Sequence, residues 1–315
     1  MAIAIHVADG NAVMGGIHAA SGGALFEHGA EIELPAHRPR VITTRPHVPI
    51  SDQELRARVQ WDHRTSPHFA LTYDRVAFAD RSASILDTLE TAYNQIFHFT
   101  HESFTDRFHV YAIDQRAATL LGCTVEPHFN LDERAIYLVE TSRHRAENDI
   151  GRNVTHAMRI ARVARHYHDT PGWAALEEGF GIFLSERLAI TKECFPLFGA
   201  HPDVIAHHLT LTHGVSLGRF WPSAPERLAA DQLALLGAFF LYLGDTFSDD
   251  RVVAFSKSED PITPETFRSC FGETLDELEF AWVQRLPVSL VALTQSEKDA
   301  MLQKWEQAIE GQWHS

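Results

Sequence analysis

Asn148 to Leu188 reads NDIGRNVTHAMRIARVARHYHDTPGWAALEEGFGIFLSERL, and the fold turns on it. From Asn148 to His168 the apolar positions Ile150, Val154, Ala157, Met158 and Ala161 recur at helical spacing, which predicts one helix with a core-facing side. Arg152, His156 and Arg159 form a stripe on the opposite side, flanked by Thr155 and Arg162. Thr170-Pro171-Gly172 ends this helix, because a proline disfavours helical backbone before it. A second helix follows over Glu177 to Leu188. Around Glu178 its stripe is Ala174, Gly181 and Ser185, all small, while Leu176, Phe180, Phe183 and Leu184 face away. Small residues beside one carboxylate predict either close approach of another element or room for a ligand.

Working outward, His68 to Asp74 (HFALTYD) alternates as a strand, and Arg107 to Ile113 (RFHVYAI) and Ala135 to Glu140 (AIYLVE) are two more. Between the first two, Ser82 to Phe99 carries Ile85, Leu86, Leu89, Ala92, Tyr93, Ile96 and Phe97 at helical spacing. Strands and helices in this order predict an α/β layer with a sheet packed under helices. The second half reads as mostly helical. Gln232 to Phe247 is apolar nearly all round and predicts a buried central helix. Thr274 to Leu286 predicts an amphipathic helix ended by Pro287. Thr294 with Glu297 forms a capping box that starts a last helix carrying Met301, Leu302, Trp305 and Ile309. At the other end, residues 1–34 read as a small β arm with glycine turns, and Pro35 to Ile50 as an extended proline-rich linker. The division is therefore 1–60 for arm and linker, 61–287 for the main domain and 288–315 for the C-terminal helix.

Composition narrows the function. Across 315 residues, 27 Lys and Arg face 42 Asp and Glu, a net charge of −15. Nucleic acid and anionic membrane surfaces attract clustered basic residues, so neither is expected as partner. A small anionic ligand needs only one local basic site and stays open. Three cysteines, Cys123, Cys194 and Cys270, stand far apart with no CxxC pair, so neither a disulfide framework nor a four-cysteine zinc site is expected. A reducing, cytoplasmic setting fits this usage best. The start MAIAIHVADGN lacks the basic and apolar regions of a signal peptide, and the apolar run Leu233 to Gly244 is too short to span a bilayer.

The whole order resembles the peptidase MA-like group, the gluzincin zinc metallopeptidases. It runs through HFALTYD, the helix with LETAY, RFHVYAI, AIYLVE, the helix with His156, LEEGFGIFLSE and FGETLDELEFAWVQRL, over about residues 66 to 286. In that group one helix carries His-Glu-x-x-His and a second contributes a Glu, typically in Glu-Gly-x-Ala, as third zinc ligand. Glu178-Gly179-Phe180-Gly181 is similar to the latter, and Gly272, Thr274, Leu275, Glu277, Leu278 and Trp282 match the group's closing segment. The resemblance implies a thermolysin-like α/β fold with a mostly helical C-terminal half. The i and i+4 spacing of the histidines lets two imidazoles grip one ion, and the intervening Glu serves the bound water as base.

Aligned by its second histidine, this sequence reads Arg152-Asn153-Val154-Thr155-His156. An arginine stays protonated and repels a cation, and an asparagine takes no proton from water. One His and one Glu fall short of the three protein ligands of a catalytic zinc. No metal and no cofactor is expected.

Three functional readings follow. In the first, the inherited cleft serves a metal-independent enzyme acting on a small anionic substrate. There His156 is acid or base, Glu178 orients it, Arg152 anchors the anion, Asn153 hydrogen-bonds the substrate, and Tyr242 is a further candidate. In the second, the chain is an inactive pseudoenzyme used for binding or scaffolding. In the third, it is a zinc metallopeptidase with atypical ligands. Plainer readings stand beside these: Arg152 and Glu178 as a structural ion pair, the 152–156–159 stripe as a solvated basic face, and Tyr242 as a core aromatic. His166 and His168, at i and i+2, point apart on a helix, His101-Glu102 lacks a second histidine, and GNAVMGG lacks the lysine of a phosphate loop. Oligomeric state is not legible in the sequence. The separation of Arg152 from Glu178, and the space beside His156, decide between a working cleft and a closed pair.

Overall fold

The computed structural model describes residues 59–104, 107–115, 117, 128–130, 135–140, 145–162, 172–191, 193–194, 196–221, 228–258 and 262–313. The expected arm and linker, Cys123, His166 and His168 lie outside these. The described residues form a mixed α/β body. Its sheet has five strands in the order β1-β2-β3-β5-β4: β1 (Trp61–Thr65), β2 (Phe69–Asp74), β3 (Phe108–Asp114), β4 (His128–Asn130) and β5 (Ala135–Glu140). The three strands legible in the sequence form the parallel centre, β2 with β3 and β3 with β5. The outer strands β1 and β4 run antiparallel to their neighbours.

Side-chain alternation sends Phe69, Leu71, Val110, Ala112, Ile136 and Leu138 to one face, where they join the main core. Tyr111, Ile113, Tyr137 and Val139 form a smaller cluster on the other. Helix α1 (Ser82–Thr100) buries Ile85, Leu86, Leu89, Ala92, Tyr93 and Ile96 of the stripe its periodicity marks, whereas Phe97, expected on the same face, is exposed. It ends at His101 in the left-handed region (φ 59°), whose N–H bonds back to the Phe97 carbonyl at 2.7 Å.

After β5 a short 3₁₀ turn (Ala146–Asp149) leads into α2 (Ile150–Arg162), and α3 (Trp173–Arg187) follows. Thus α3 begins four residues before the sequence expectation at Glu177, on Gly172 at φ 81°. The rest of the described chain is helical: α4 (Pro202–His207), α5 (Ala230–Phe247), α6 (Asp249–Ser256), α7 (Pro264–Phe271), α8 (Leu275–Ser289) and α9 (Gln295–Trp313). As expected, α5 is buried on nearly every side. Gly179 of α3 lies so close to α5 that a Cβ there would stand 2.5 Å from the Phe240 ring. The expected stop of α8 at Pro287 is corrected, since the helix runs on to Ser289. Proline removes one backbone donor and strains the preceding turn, a smaller defect in a last turn than in a helix interior. The Thr294–Glu297 capping box forms, with Thr294 N donating to Glu297 Oε2 at 2.7 Å. Trp305 of α9 is buried and donates from Nε1 to the Pro196 carbonyl at 3.0 Å, which ties the last helix to the body. Among the described residues no helix is long and apolar enough to cross a membrane.

Candidate functional site

Helices α2 and α3 meet along their small residues. A Cβ on Gly181 would lie 3.0 Å from Arg152 Cγ, and one on Gly151 would lie 2.2 Å from Ser185 Oγ. The small stripe on α3 therefore marks close approach of another element, the first of its two readings. That approach turns the 152–156–159 stripe toward the α3 carboxylates. The reading of a solvated basic face is thereby corrected: Arg152 is 5% exposed, His156 8% and Arg159 0%.

The charges interlock. Arg152 Nη1 donates to Glu178 Oε2 at 3.1 Å, and Arg152 Nη2 is 3.9 Å from Asp149 Oδ1. His156 is held from both sides, with Nδ1 3.4 Å from Glu177 Oε2 and Nε2 3.5 Å from Glu178 Oε2. Arg159 Nε donates to Glu177 Oε1, and its guanidinium carbon stands 5.4 Å from the Trp173 ring and 5.2 Å from the Phe180 ring. Arg152, His156 and Arg159 thus face Asp149, Glu177 and Glu178, three cations against three anions. Charges removed from water persist only when so compensated. Only Glu178 opens appreciably outward, with 28% of its side chain exposed.

The titration behaviour follows from this balance. Burial alone would push His156 down. The Glu178 charge and the contacts with Glu177 outweigh it and raise His156 to about 9. Burial would push Glu178 up, but Arg152 and then His156 hold it down at about 2. Glu177 is lowered in the same way against its own burial, by Arg159 and His156. At neutral pH His156 therefore carries its proton. It has no lone pair to offer as a base or metal ligand, and both its nitrogens point at carboxylates.

The other expected residues are less central. Asn153 is buried and donates from Nδ2 to the Asp149 carbonyl at 3.1 Å, so its amide closes on its own helix and not on an open cleft. Tyr242 is largely buried on α5, among Phe239, Trp282 and the Arg285 guanidinium, and lines a different cavity from the α2–α3 cluster. Neither of the two cavities described, that one and a groove beside Phe280, is lined by Arg152, His156 or Glu178. Neither Asp149 nor Glu177 is singled out by the sequence, and Arg159 enters there only as a member of the basic stripe. The signal was present, since three basic residues on one buried stripe call for more than one anion, and Glu177 adjoins Glu178.

Zinc, which the resemblance would put between α2 and α3, does not fit the residues present. The Arg152 guanidinium lies against the same Glu178 oxygen that would face the ion. Among the described residues, no group of three or more His, Cys, Asp or Glu is arranged to hold a metal. Fold and site together define a mixed α/β protein with a charge-balanced buried cluster between two helices. No protein-family model matches the chain, and no curated protein matches it.

Proposed function

We propose that the chain is a non-peptidase derivative of a zinc-metallopeptidase-like fold, in which the ions between α2 and α3 take over the holding role of a metal. Its work would then be binding or scaffolding, with no turnover at this cluster. One observation carries the reading. Glu178 Oε2 sits 3.1 Å from Arg152 Nη1 and 3.5 Å from His156 Nε2, so cation and carboxylate are closed on each other. The ancestry is supported by what remains. Two ligands on a tetrahedral zinc stand roughly 3.3 Å apart, close to the His156–Glu178 spacing. Glu177 meets the far nitrogen of His156 as orienting carboxylates do in metal sites.

Arg152→His tests this. The variant is expected to take up one zinc per chain and to gain thermal stability on zinc addition, where the unaltered protein does neither. A folded Arg152→His chain that ignores zinc, or an unaltered chain purified with stoichiometric zinc, would falsify the proposal. The metal-independent enzyme is a second reading, favoured by the exposed edge of Glu178. A ligand anion arriving there could displace Glu178 from Arg152. On that reading succinate raises the melting temperature of the unaltered chain and not of Arg152→Met.

A further inference from the structure

We propose that the cavity between α3, α4, α5 and α8 binds a small organic ammonium ion, with the Glu186 carboxylate as its counter-ion. The proposal is independent of how the α2–α3 cluster is read. The cavity holds about 320 Å³, within the range of small-molecule sites. Leu241, Trp282 and Leu286 give it an apolar wall.

The basic groups in that wall are already engaged. Arg187 Nη2 lies 2.8 Å from Asp245 Oδ1 and 3.0 Å from Asp249 Oδ1. Arg285 lies over the Tyr242 ring, its guanidinium carbon 5.6 Å from the centroid, and Arg285 Nη1 donates to Thr246 Oγ1 at 3.1 Å. His201 bonds through Nδ1 with the Asp203 backbone N–H at 3.3 Å. Glu186 is different. It lines the cavity, and among the described residues no ion pair or side-chain hydrogen bond engages its carboxylate. Burial alone pushes it up to about 7. The Asp203 carboxylate, also in the wall, has no ion pair among the described residues either. The Trp282 indole N–H is buried in the same wall and has no acceptor among the described residues.

A half-buried carboxylate without a cation is destabilising, and burial of the charge is compensated only by a partner that brings the opposite one. Among the described residues no cation pairs with it: Arg187 is held by Asp245 and Asp249, and Arg285, in the same wall, is held at Tyr242 and Thr246, so on this proposal the partner comes from outside. The apolar wall asks for a hydrocarbon or aromatic body on it, which distinguishes an organic ammonium from a bare metal ion.

The test is calorimetric titration of the whole chain at pH 8 with phenethylamine and with 3-phenylpropionate, which has a similar body and the opposite charge. Phenethylamine is expected to bind and 3-phenylpropionate not. Glu186→Gln, an isosteric change that removes an unpaired charge and so preserves the fold, is expected to weaken phenethylamine about tenfold or more. Failure to bind phenethylamine up to about 10 mM, equal binding of the two probes, or unchanged affinity in Glu186→Gln would each overturn the proposal.

Discussion

Glu178 and Glu186 sit on one helix, α3, eight residues and about 12 Å of axial rise apart. The first is held down at about 2, the second pushed up to about 7. Residue type and helix are the same, so the sign comes from what packs alongside. Near Glu178, α2 presents Arg152 and His156. Near Glu186 stand a cavity wall and the buried Cys194 thiol, itself pushed up by burial and then by the Glu186 charge. The motif-like end of α3 has its charges balanced, although Arg159 Nη1, Arg159 Nη2 and His156 Nε2 are buried without a hydrogen-bond partner among the described residues, whereas the unremarked end has no counter-ion there. An ion cluster with its partners in place has little left to offer a ligand, whereas a carboxylate that lacks one does.

The contrast breaks most sharply at Arg159. Arg159→Met is expected to cost about 3–5 kcal/mol in urea unfolding, because it strands the buried Glu177 with His156 alone. A cost under about 1 kcal/mol would mean the cluster is not dry. Next comes pH. The folded His156 value lies above its unfolded 6.5, so its contribution is complete below pH 6.5 and is lost as pH rises through about 9. The loss is on the order of 3 kcal/mol. Glu178 works in the opposite direction: its contribution is complete above pH 4.5 and is lost as pH falls toward about 2. These are two views of one attraction and do not add. Glu186 adds its own loss between pH 4.5 and 7, so the test is made in the Glu186→Gln background: there stability is expected to hold between pH 4.5 and 6.5 and to fall on the alkaline side only while His156 is present, and adding His156→Gln should flatten that arm. A smaller cost, about 1–3 kcal/mol, is expected for Arg152→Met, since the Glu178 it strands keeps 28% of its side chain in reach of water.

The parts of this molecule legible in its sequence are those with strong periodicity. The parallel centre of the sheet and helices α1, α2 and α5 follow from alternation or helical spacing. Strand β1 did not show itself because four of its five residues are exposed on an outer strand, so no apolar alternation marks it. Strand β4 spans three residues, too few for a pattern. At the site, spacing put Arg152 and His156 on one helix face and the resemblance added Glu178; the structure brings the three together. Spacing did not reveal that Glu177 turns toward His156 and Arg159, because adjacent residues on a helix differ by about 100° and the rotation of α3 against α2 selects which one faces inward. That rotation is set by contacts such as Gly181 with Arg152 and Gly151 with Ser185, which no single helix records. Tyr242 looked like a companion of His156 only while the positions of the helices were unknown. Its helix packs against α3 as α2 does, but its ring lies at the cavity that Glu186 lines.

The mildest change sharpens the comparison from the Glu186 side. A carboxyl raised to about 7 from an ordinary 4.5 binds its proton more tightly when folded. Its penalty on stability is absent below pH 4.5, grows between 4.5 and 7 and is complete above 7. Glu186→Gln removes the charge and keeps the shape, so the variant is expected to be more stable than the unaltered protein by about 1–2 kcal/mol at pH 8. The gain is held below the full titration value because the amide also loses hydration on burial. The difference should close by pH 4.5, where both side chains are neutral, and urea unfolding at the two pH values measures it. Saturating phenethylamine should narrow the pH 8 gap, by stabilising only the chain that keeps its carboxylate. If Glu186→Gln is instead less stable at pH 8, Glu186 has a cationic partner within the fold, and the two ends of α3 differ in degree but not in kind.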